Sequence, residues 1–497
     1  MPSYFSLALQ KTGSLADAIN DRFTSYRLML YYLLVMIGWA AVGGVFHKVP
    51  YSWYWIVISA GWITAVGWSA NKLLAKFLDI PANKESSLIT ALILALILAP
   101  ATDARGFTVA AVAGLAAIAS KYVLTWRKSH IFNPAAAGAF VAGQFFNQFP
   151  SWWVGTKFMT PIVILGGFLI LRKMKRYTMV GLFLAVYLLY LIFATSSGSD
   201  AHFLWLELIS TQALFFAIVM LTEPLTSPAG ARYYLPYTLL VGLLYSVTRL
   251  KLSPEEALLL GNIFTFIFAA NRRYELSFVR SVKEAEGIVS YIFKTPPRLR
   301  YQPGQYMEWT VAGSRTDSRG NRRYLTVSSS PSEPEMMFTV KQPPNASAFK
   351  QKLAQLEPGN KILASRLAGG FLLPKGTDKK LAFLAGGVGI TPFRSMVRYM
   401  IDSSEKRDAA LLYSVNSESE IAFKGLFKDA EAAGLKTLYV TGKHIDESLL
   451  RQALPDYKER LFYVSGPFGF VDAMEKVLLK AGVSYDKIVT DYFPGYG

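Results

Sequence analysis

Residues 381–392 read Leu381-Ala-Phe-Leu-Ala-Gly386-Gly387-Val-Gly389-Ile390-Thr391-Pro392, and this stretch decides the fold of the C-terminal half. Leu381 to Leu384 has the length and composition of a buried strand. The glycines that follow let the backbone approach a pyrophosphate, and a helix opening at Thr391 presents its positive N-terminus to the anion. A lone glycine turn carries little information, but one that follows a strand and opens a helix carries much more. Downstream, Ala410 to Tyr413 is the next strand, which sets a βαβ rhythm. Residues 375–497 are expected to form an α/β nucleotide-binding domain.

Upstream of Leu373 the pattern is one of short strands. Gln302-Pro-Gly-Gln-Tyr306 leads into Met307 to Val311, and Tyr324 to Val327 and Met337 to Lys341 are further strand-like runs. They predict a β-barrel over residues 272–374.

This half resembles the ferredoxin–NADP reductase superfamily along its whole length, with several motifs in the family's order. Arg323-Tyr324-Leu325-Thr326-Val-Ser-Ser329 resembles the family's Arg-x-Tyr-Ser element. The resemblance implies that Arg323 reaches the pyrophosphate of FAD, where a fork of charged donors suits a dianion. Thr326 takes the place of the hydroxyl beside the reactive flavin nitrogen, and Leu325 stands where the family has a stacking aromatic. Ser347, Gly370 and Phe371 fall where the family cradles the rest of FAD. Gly386, Gly387, Gly389, Ile390, Thr391 and Pro392 correspond to the dinucleotide turn. Ser465-Gly466-Pro467 is similar to the family's Cys-Gly-Pro beside the nicotinamide, with Ser for Cys, a change expected to slow hydride transfer more than binding. In the terminal Asp491-Tyr-Phe493-Pro-Gly-Tyr496, Phe493 is the candidate aromatic that shields the flavin, with Asp491 as its acidic neighbour. Ser414-Val-Asn416-Ser-Glu418 offers no cation for a 2′-phosphate, so NADH is favoured over NADPH.

The N-terminal half is of another kind. The whole chain is 52% hydrophobic with a mean hydropathy of +0.28, too apolar for a soluble protein and too polar for a pure membrane protein. An α-helical membrane domain at 27–271, after a cytoplasmic segment at 1–26, accounts for the mixture. Leu28 to Phe46 and Tyr177 to Thr195 are long enough to cross a bilayer unaided. Trp53 to Ala70, Phe203 to Thr222, Tyr233 to Val247 and Ala257 to Asn271 are further candidates, and Leu88 to Ala101, Phe107 to Ser120, Ile131 to Phe146 and Phe158 to Leu171 are shorter. That makes about ten spans. With the N-terminus inside, Lys and Arg fall sixteen on cytoplasmic segments against five outside, which supports an even count with both termini in the cytoplasm. No cleavable signal peptide is expected, because Met1 to Thr24 lacks an apolar core.

An internal repeat runs through this half. Ala99-Pro100, Gly114 to Tyr122 and Asn133-Pro134 recur as Glu223-Pro224, Gly242 to Arg249 and Ser253-Pro254, at offsets of 124, 128 and 120 residues. The copies begin on opposite sides of the membrane, the pattern of inverted repeats whose broken helices meet near the midplane. His130-Ile-Phe-Asn133-Pro134-Ala-Ala136 and Leu221-Thr222-Glu223-Pro224-Leu-Thr-Ser-Pro228 resemble motifs of the B subunit of sodium-pumping NADH:quinone reductase and the D subunit of the Rnf complex. Those subunits hold flavin in ten-helix inverted repeats and take part in electron transfer coupled to ion movement. Their Ser-Gly-Ala-Thr attachment run for FMN is missing here; Thr156, in Ser151-Trp-Trp-Val-Gly-Thr156, is the candidate substitute, and a non-covalent FMN or riboflavin is the alternative. Glu207 and Glu223 are the acids expected to serve an ion or proton path, because charge inside a bilayer is expensive. Asp103 lies near an outer helix end.

Absences narrow the chemistry further. With no cysteine in the chain, an iron–sulfur relay is excluded. The formal charge of +18 is placed at helix ends, where anionic lipid accounts for it, so no nucleic-acid partner is expected. His47, His130, His202 and His444 are the only histidines and do not pair as b-haem ligands, which sets aside a ferric-reductase type. The chain is read as integral to the cytoplasmic membrane, with its reductase half in the cytoplasm. It passes electrons from NADH through FAD to a membrane flavin or quinone, with Na+ or H+ movement as the coupled process. No metal site is expected. The competing reading is a transporter or channel gated by the reductase, and a flavin in the membrane half distinguishes the two.

Overall fold

The computed structural model describes residues 23–78, 84–126, 129–174, 176–194, 201–210, 212–247, 250–269, 273–297, 299–311 and 321–493. The chain divides into two compact units, 1–272 and 273–497.

The first unit is helical, and each of the ten apolar stretches picked out in the sequence contains helix. The helices are α1 (Ser25–Val45), α2 (Trp53–Phe77), α3 (Lys84–Ile97), α4 (Ala104–Val123), α5 (Pro134–Phe146), α6 (Thr160–Met174), α7 (Tyr177–Ala194), α8 (Ala201–Ser210), α9 (Ala213–Phe215), α10 (Tyr234–Ser246) and α11 (Pro254–Phe268). A two-residue hairpin, β1 (Thr125–Trp126) and β2 (Ser129–His130), follows α4. Three of these helices, α1, α4 and α7, are long and apolar enough to cross a membrane by length and composition. Two differences from the sequence reading have clear causes. The expected span Phe203 to Thr222 is split, since α8 stops at Ser210 and α9 runs into a π-helical turn over Phe216–Met220. The stretch begun at Phe107 starts earlier, at Ala104, because Asp103 caps it.

The proline positions of the sequence repeat fall as follows. Pro100 and Pro224 lie in non-helical breaks, whereas Asn133-Pro134 opens α5 and Ser253-Pro254 opens α11. Proline belongs at such starts, because the N–H it lacks has no helical partner there. Close packing follows from small residues: a Cβ on Gly138 of α5 would meet the Ala113 carbonyl oxygen of α4 at 2.4 Å.

The second unit contains two sheets. Strands β3 (Arg273–Ala285), β4 (Ile288–Lys294), β5 (Tyr306–Thr310), β6 (Arg322–Thr326), β7 (Glu335–Lys341) and β8 (Lys361–Ala368) form an antiparallel sheet in the order β6-β5-β8-β3-β4-β7. It encloses an aromatic core in which Trp309 lies 4.4 Å from Phe338 and 5.8 Å from Phe293 between ring centroids. The short helix α12 (Ala348–Ala354) follows β7.

The other sheet is parallel. It holds β9 (Leu381–Gly386), β10 (Ala409–Val415), β11 (Leu435–Thr441), β12 (Leu461–Pro467) and β13 (Ile488–Phe493), ordered β11-β10-β9-β12-β13. The accompanying helices include α13 (Thr391–Asp402), α14 (Lys424–Asp429), α15 (Glu447–Ala453) and α16 (Phe468–Lys480). The chain builds outward from β9 in one direction and then returns to β9's other side. The strand order therefore switches between β9 and β12, and ligands of open α/β sheets bind beyond the carboxyl ends of the strands at such a switch. An antiparallel β-sheet followed by a parallel α/β sheet is the arrangement expected for this half.

Candidate functional site

The switch point is where the glycine motif lies. Gly386 closes β9, Gly387 takes φ +52°, and the turn over 387–390 delivers the chain into α13. Gly389 rests on the end of β12: a Cβ there would sit 2.3 Å from the Ser465 carbonyl oxygen and 2.6 Å from Gly466 Cα. Phe470 of α16 lies against both strand ends, so that a Cβ on Gly386 or Gly466 would approach its ring to 2.6 or 2.8 Å. Ile390, Thr391 and Pro392 are buried. Pro467 is exposed at the end of β12. Ser465 is fully buried, and its hydroxyl has no hydrogen-bond partner among the described residues. Its strand partner is Asp491. Phe493 ends β13, and its side chain lies outside the described residues.

Helix α13 is fastened to the residues that follow the Arg323–Thr326 motif. Ser395 Oγ donates to the Ser329 carbonyl at 2.6 Å, Arg394 Nη1 to the Ser328 carbonyl at 3.2 Å, and Arg394 Nη2 to Glu333 at 2.8 Å. The two motifs are thus continuous through backbone-anchored contacts. Arg394, Ser395 and Glu333 carry no recognisable motif, and only the fold shows their role.

On the barrel side, Arg323 is buried, with one guanidinium nitrogen 2.7 Å from the Arg322 carbonyl and the group 5.2 Å from the Phe349 ring centroid. Thr326, Ser328 and Ser347 are buried, and none of their hydroxyls has a partner among the described residues. Buried hydroxyls without partners are costly, and with Ser465 four of them occur at the positions that the sequence assigns to cofactor binding or follow directly on one. A polar cofactor that supplies the missing partners fits these residues.

Phe371 and Leu325 lie deeper than a cofactor-facing position suggests. Phe371 packs against Phe393 and Tyr463 at 5.7 and 5.1 Å, in the core of the parallel-sheet domain rather than at a cofactor face. Leu325 packs against the barrel core, and the exposed aromatic of β6 is Tyr324. Beyond the Ser414–Glu418 stretch, Lys341 of β7 pairs with Glu420 at 2.9 Å, and Asn416 Nδ2 lies 3.4 Å from the same carboxylate. Gly370 is exposed, with open space where a Cβ would stand.

Sequence reading also missed Glu308, which is 3% exposed in β5. Arg322 and Arg366 lie 3.3 and 3.2 Å from its carboxylate, and Tyr324 Oη donates to it at 2.8 Å. Burial alone pushes this carboxyl up, but the charges of Arg322 and Arg366 outweigh it and bring it down to about 2. A depressed carboxyl adds stability that is fully present above its unfolded value, near 4.5, and is lost as pH falls through the folded one. Acid unfolding followed by circular dichroism is expected to show Glu308→Gln losing much of the wild type's change in stability between those limits. Equal acid sensitivity in both proteins contradicts this.

In the first unit, the two matched motifs are joined by hydrogen bonds. Asn133 caps α5 by accepting from Ala136 N at 3.0 Å, and its own N–H donates to Asn262 Oδ1 at 2.7 Å. Asn262 Nδ2 reaches the Thr226 carbonyl at 3.3 Å, and Thr226 Oγ1 donates to Glu223 at 2.9 Å. Glu223 interacts electrostatically with buried Lys121, whose ammonium donates to Ser86 O at 2.8 Å. Pro134 occupies the first turn of α5, Pro224 follows Glu223 in the break, and Thr222 Oγ1 bonds back to the Ile218 carbonyl at 2.5 Å. Glu207 is half-buried on α8 and interacts electrostatically with Tyr245. Thr156 Oγ1 is buried without a partner among the described residues. Lys121, Asn262 and Glu255 were not legible in the sequence; Glu255 is 1% exposed and accepts from Trp152 Nε1 at 3.2 Å.

Asp103 proves to be a helix cap, its carboxylate accepting from Gly106 N at 2.7 Å. Asp103→Ala is expected to cost about 1 kcal/mol, read as a lowered Tm of the purified protein. No loss of activity is expected at permissive temperature.

Comparison with known proteins bears on the second unit. Residues 383–476 match the family described as the oxidoreductase NAD-binding domain. Flavohemoprotein A of Dictyostelium discoideum is 24% identical over 232 residues, 43% of this chain and 58% of that protein. An NADPH oxidoreductase of Mycobacterium tuberculosis is 29% identical over 37% of this chain and 50% of its own length. The glycine betaine monooxygenase reductase subunit of Chromohalobacter salexigens is 25% identical over 43% and 62%. The chain thus spans about half to three fifths of the length of these curated relatives. Among solved structures, the FAD/NAD-binding domain of nitric oxide dioxygenase from Vibrio cholerae aligns with 44% of this chain and 98% of its own, at 20% identity and a TM-score of 0.39. A ferredoxin NADP+ reductase from Neisseria gonorrhoeae does so at 19% identity and 0.39 over the same shares. The second unit therefore holds an oxidoreductase NAD-binding domain at residues 383–476, and it is similar in sequence to the reductases named above.

Proposed function

We propose that this chain is a membrane NADH oxidoreductase, in which the second unit takes electrons from NADH through FAD and the first unit receives them on a flavin or quinone. The observation that carries the reading is the set of buried hydroxyls at Thr326, Ser328, Ser347 and Ser465 with no partner among the described residues, near two motifs fastened together by Arg394 and Ser395. Bound FAD would supply the conversion of a two-electron donor into one-electron steps. The chain's part is to hold and orient. Arg323 offers a charged fork to the pyrophosphate. Thr326 and Ser328 offer hydroxyls along the barrel edge, and Ser347 offers another before α12. The turn at Gly386 to Pro392 brings main-chain N–H groups and the start of α13 to the dinucleotide phosphates. Ser465 stands at the nicotinamide end. Phe493 is assigned to shield the flavin, with Asp491 as its acidic neighbour.

Lipid embedding of the first unit is supported by where apolar surface lies. Of the large hydrophobic side chains exposed among the described residues, all but five belong to this unit, and Phe77, Phe145 and Phe193 are at least 75% exposed. Such surface calls for lipid or another apolar partner. The network from Asn133 through Glu223 to Lys121 joins the two repeats, and we assign to it the coupling of electron transfer to Na+ or H+ movement. Thr156 is the attachment candidate for a membrane flavin.

The test is the absorption spectrum of the purified full chain before and after NADH, with flavin counted per chain. Two flavins bleaching together support the conduit. A single flavin and NADH-dependent solute flux favour a gated transporter, and a Soret band favours haem. Within this reading, Ser465→Cys is expected to speed NADH-dependent flavin reduction by about threefold to tenfold, ~1 kcal/mol of barrier, with KM for NADH nearly unchanged. A changed KM with an unchanged rate counts against Ser465 lying beside the nicotinamide.

A further inference from the structure

Glu308 lies in the middle of β5 between Met307 and Trp309, both of which point into the barrel core. Strand alternation therefore turns Glu308 to the opposite face, where the register sets it beside Tyr324 of β6 and Ser365 of β8. Three groups converge on its carboxylate: the guanidinium groups of Arg322 and Arg366 and the hydroxyl of Tyr324. Arg366 also donates to the Tyr324 hydroxyl, which closes a ring of contacts. The Tyr324 ring, 43% exposed, meets Tyr306 edge-on at 5.8 Å and 88°.

A single ion pair suffices to neutralise a buried acid. Here two arginines and a tyrosine are committed to one, and the side chain held by the ring of contacts is an exposed aromatic. Arg366 adopts φ +58°, a left-handed conformation that costs a bulky residue free energy and persists only where surrounding contacts enforce it. Tyr324 stands between Arg323 and Thr326 in sequence, while Leu325 packs against the core.

We propose that Glu308 is a positioning residue of the flavin site, fixing the Tyr324 ring and the Arg366 guanidinium where they contact FAD. The inference rests on the reading that the second unit binds FAD.

The experiment uses the purified full chain and its Glu308→Gln, Tyr324→Phe and Tyr324→Leu variants, with FAD titrated into flavin-stripped protein. Flavin fluorescence reports on the ring, because a contacting tyrosine quenches it. Glu308→Gln is expected to weaken FAD binding by on the order of tenfold and to raise the fluorescence of bound flavin, with KM for NADH unchanged. Tyr324→Leu is expected to raise fluorescence in the same way, whereas Tyr324→Phe retains most of the quenching. Wild-type affinity and quenching in folded Glu308→Gln overturns the inference. Should that variant fail to fold, unchanged fluorescence and affinity in Tyr324→Leu overturns it instead, since an exposed ring can be removed without breaking the core. If the unsubstituted chain takes up no flavin, the underlying reading fails and this inference fails with it; normal uptake with inert variants sinks the inference alone.

Discussion

Gly389→Val is expected to lower kcat/KM for NADH oxidation by about 100-fold while leaving FAD bound. The atoms in the way are all main chain: the Ser465 carbonyl oxygen at 2.3 Å, its carbon at 2.5 Å and Gly466 Cα at 2.6 Å from where a Cβ would stand. A flexible side chain could move aside, but these atoms belong to β12, which is hydrogen-bonded to β9 and β13. The glycine turn and the β12 end must therefore separate, and a displacement of about 1 Å at a reacting centre costs rate on this scale. Overpacking adds about 1–3 kcal/mol of destabilisation, so the comparison belongs at a temperature where both proteins are folded. FAD content and NADH-dependent ferricyanide reduction are the two measurements. Full FAD with unimpaired NADH turnover contradicts the assignment of this turn to the dinucleotide.

The second large effect is on FAD itself. Arg323→Met is expected to weaken FAD binding about 100-fold, ~3 kcal/mol. Methionine preserves the apolar stem that packs by Phe349, so the change removes charge and donors with little change in volume. Hydrogen bonds to charged groups contribute more than neutral ones, and a phosphate dianion engages several at once. The protein should emerge from gel filtration largely colourless and regain activity with excess FAD. Retention of full flavin through gel filtration removes Arg323 from the site. The pair of substitutions also separates the two half-sites, since Gly389→Val acts on NADH and Arg323→Met on FAD.

Much of the second unit was legible because its chemistry is local. The glycine turn, the strand before it and the helix after it are contiguous, and each obeys a short-range rule of backbone conformation or helix capping. The same holds for Asn133-Pro134 and Ser253-Pro254, which open helices as proline at a first turn must. Position within a motif is a weaker guide to depth: Phe371 lies in a hydrophobic core and Leu325 packs against one. The single span expected from Phe203 to Thr222 appears as separate helices, Ala201–Ser210 and Ala213–Phe215, a division that hydropathy averages away.

The sequence by itself determined the two-part character of the chain, the alternating strand–helix rhythm of its second half and the glycine-rich turn between β9 and α13. Those depend on composition and on contacts within a few residues, where backbone sterics and periodicity decide. Only the tertiary structure decided that Glu308 gathers Arg322, Arg366 and Tyr324, and that Arg394 and Ser395 fasten α13 to the barrel. It alone linked Asn133 through Asn262 and Thr226 to Glu223. Burial and hydrogen bonding between residues tens of positions apart are set by strand register and helix packing, and no local pattern encodes those distances.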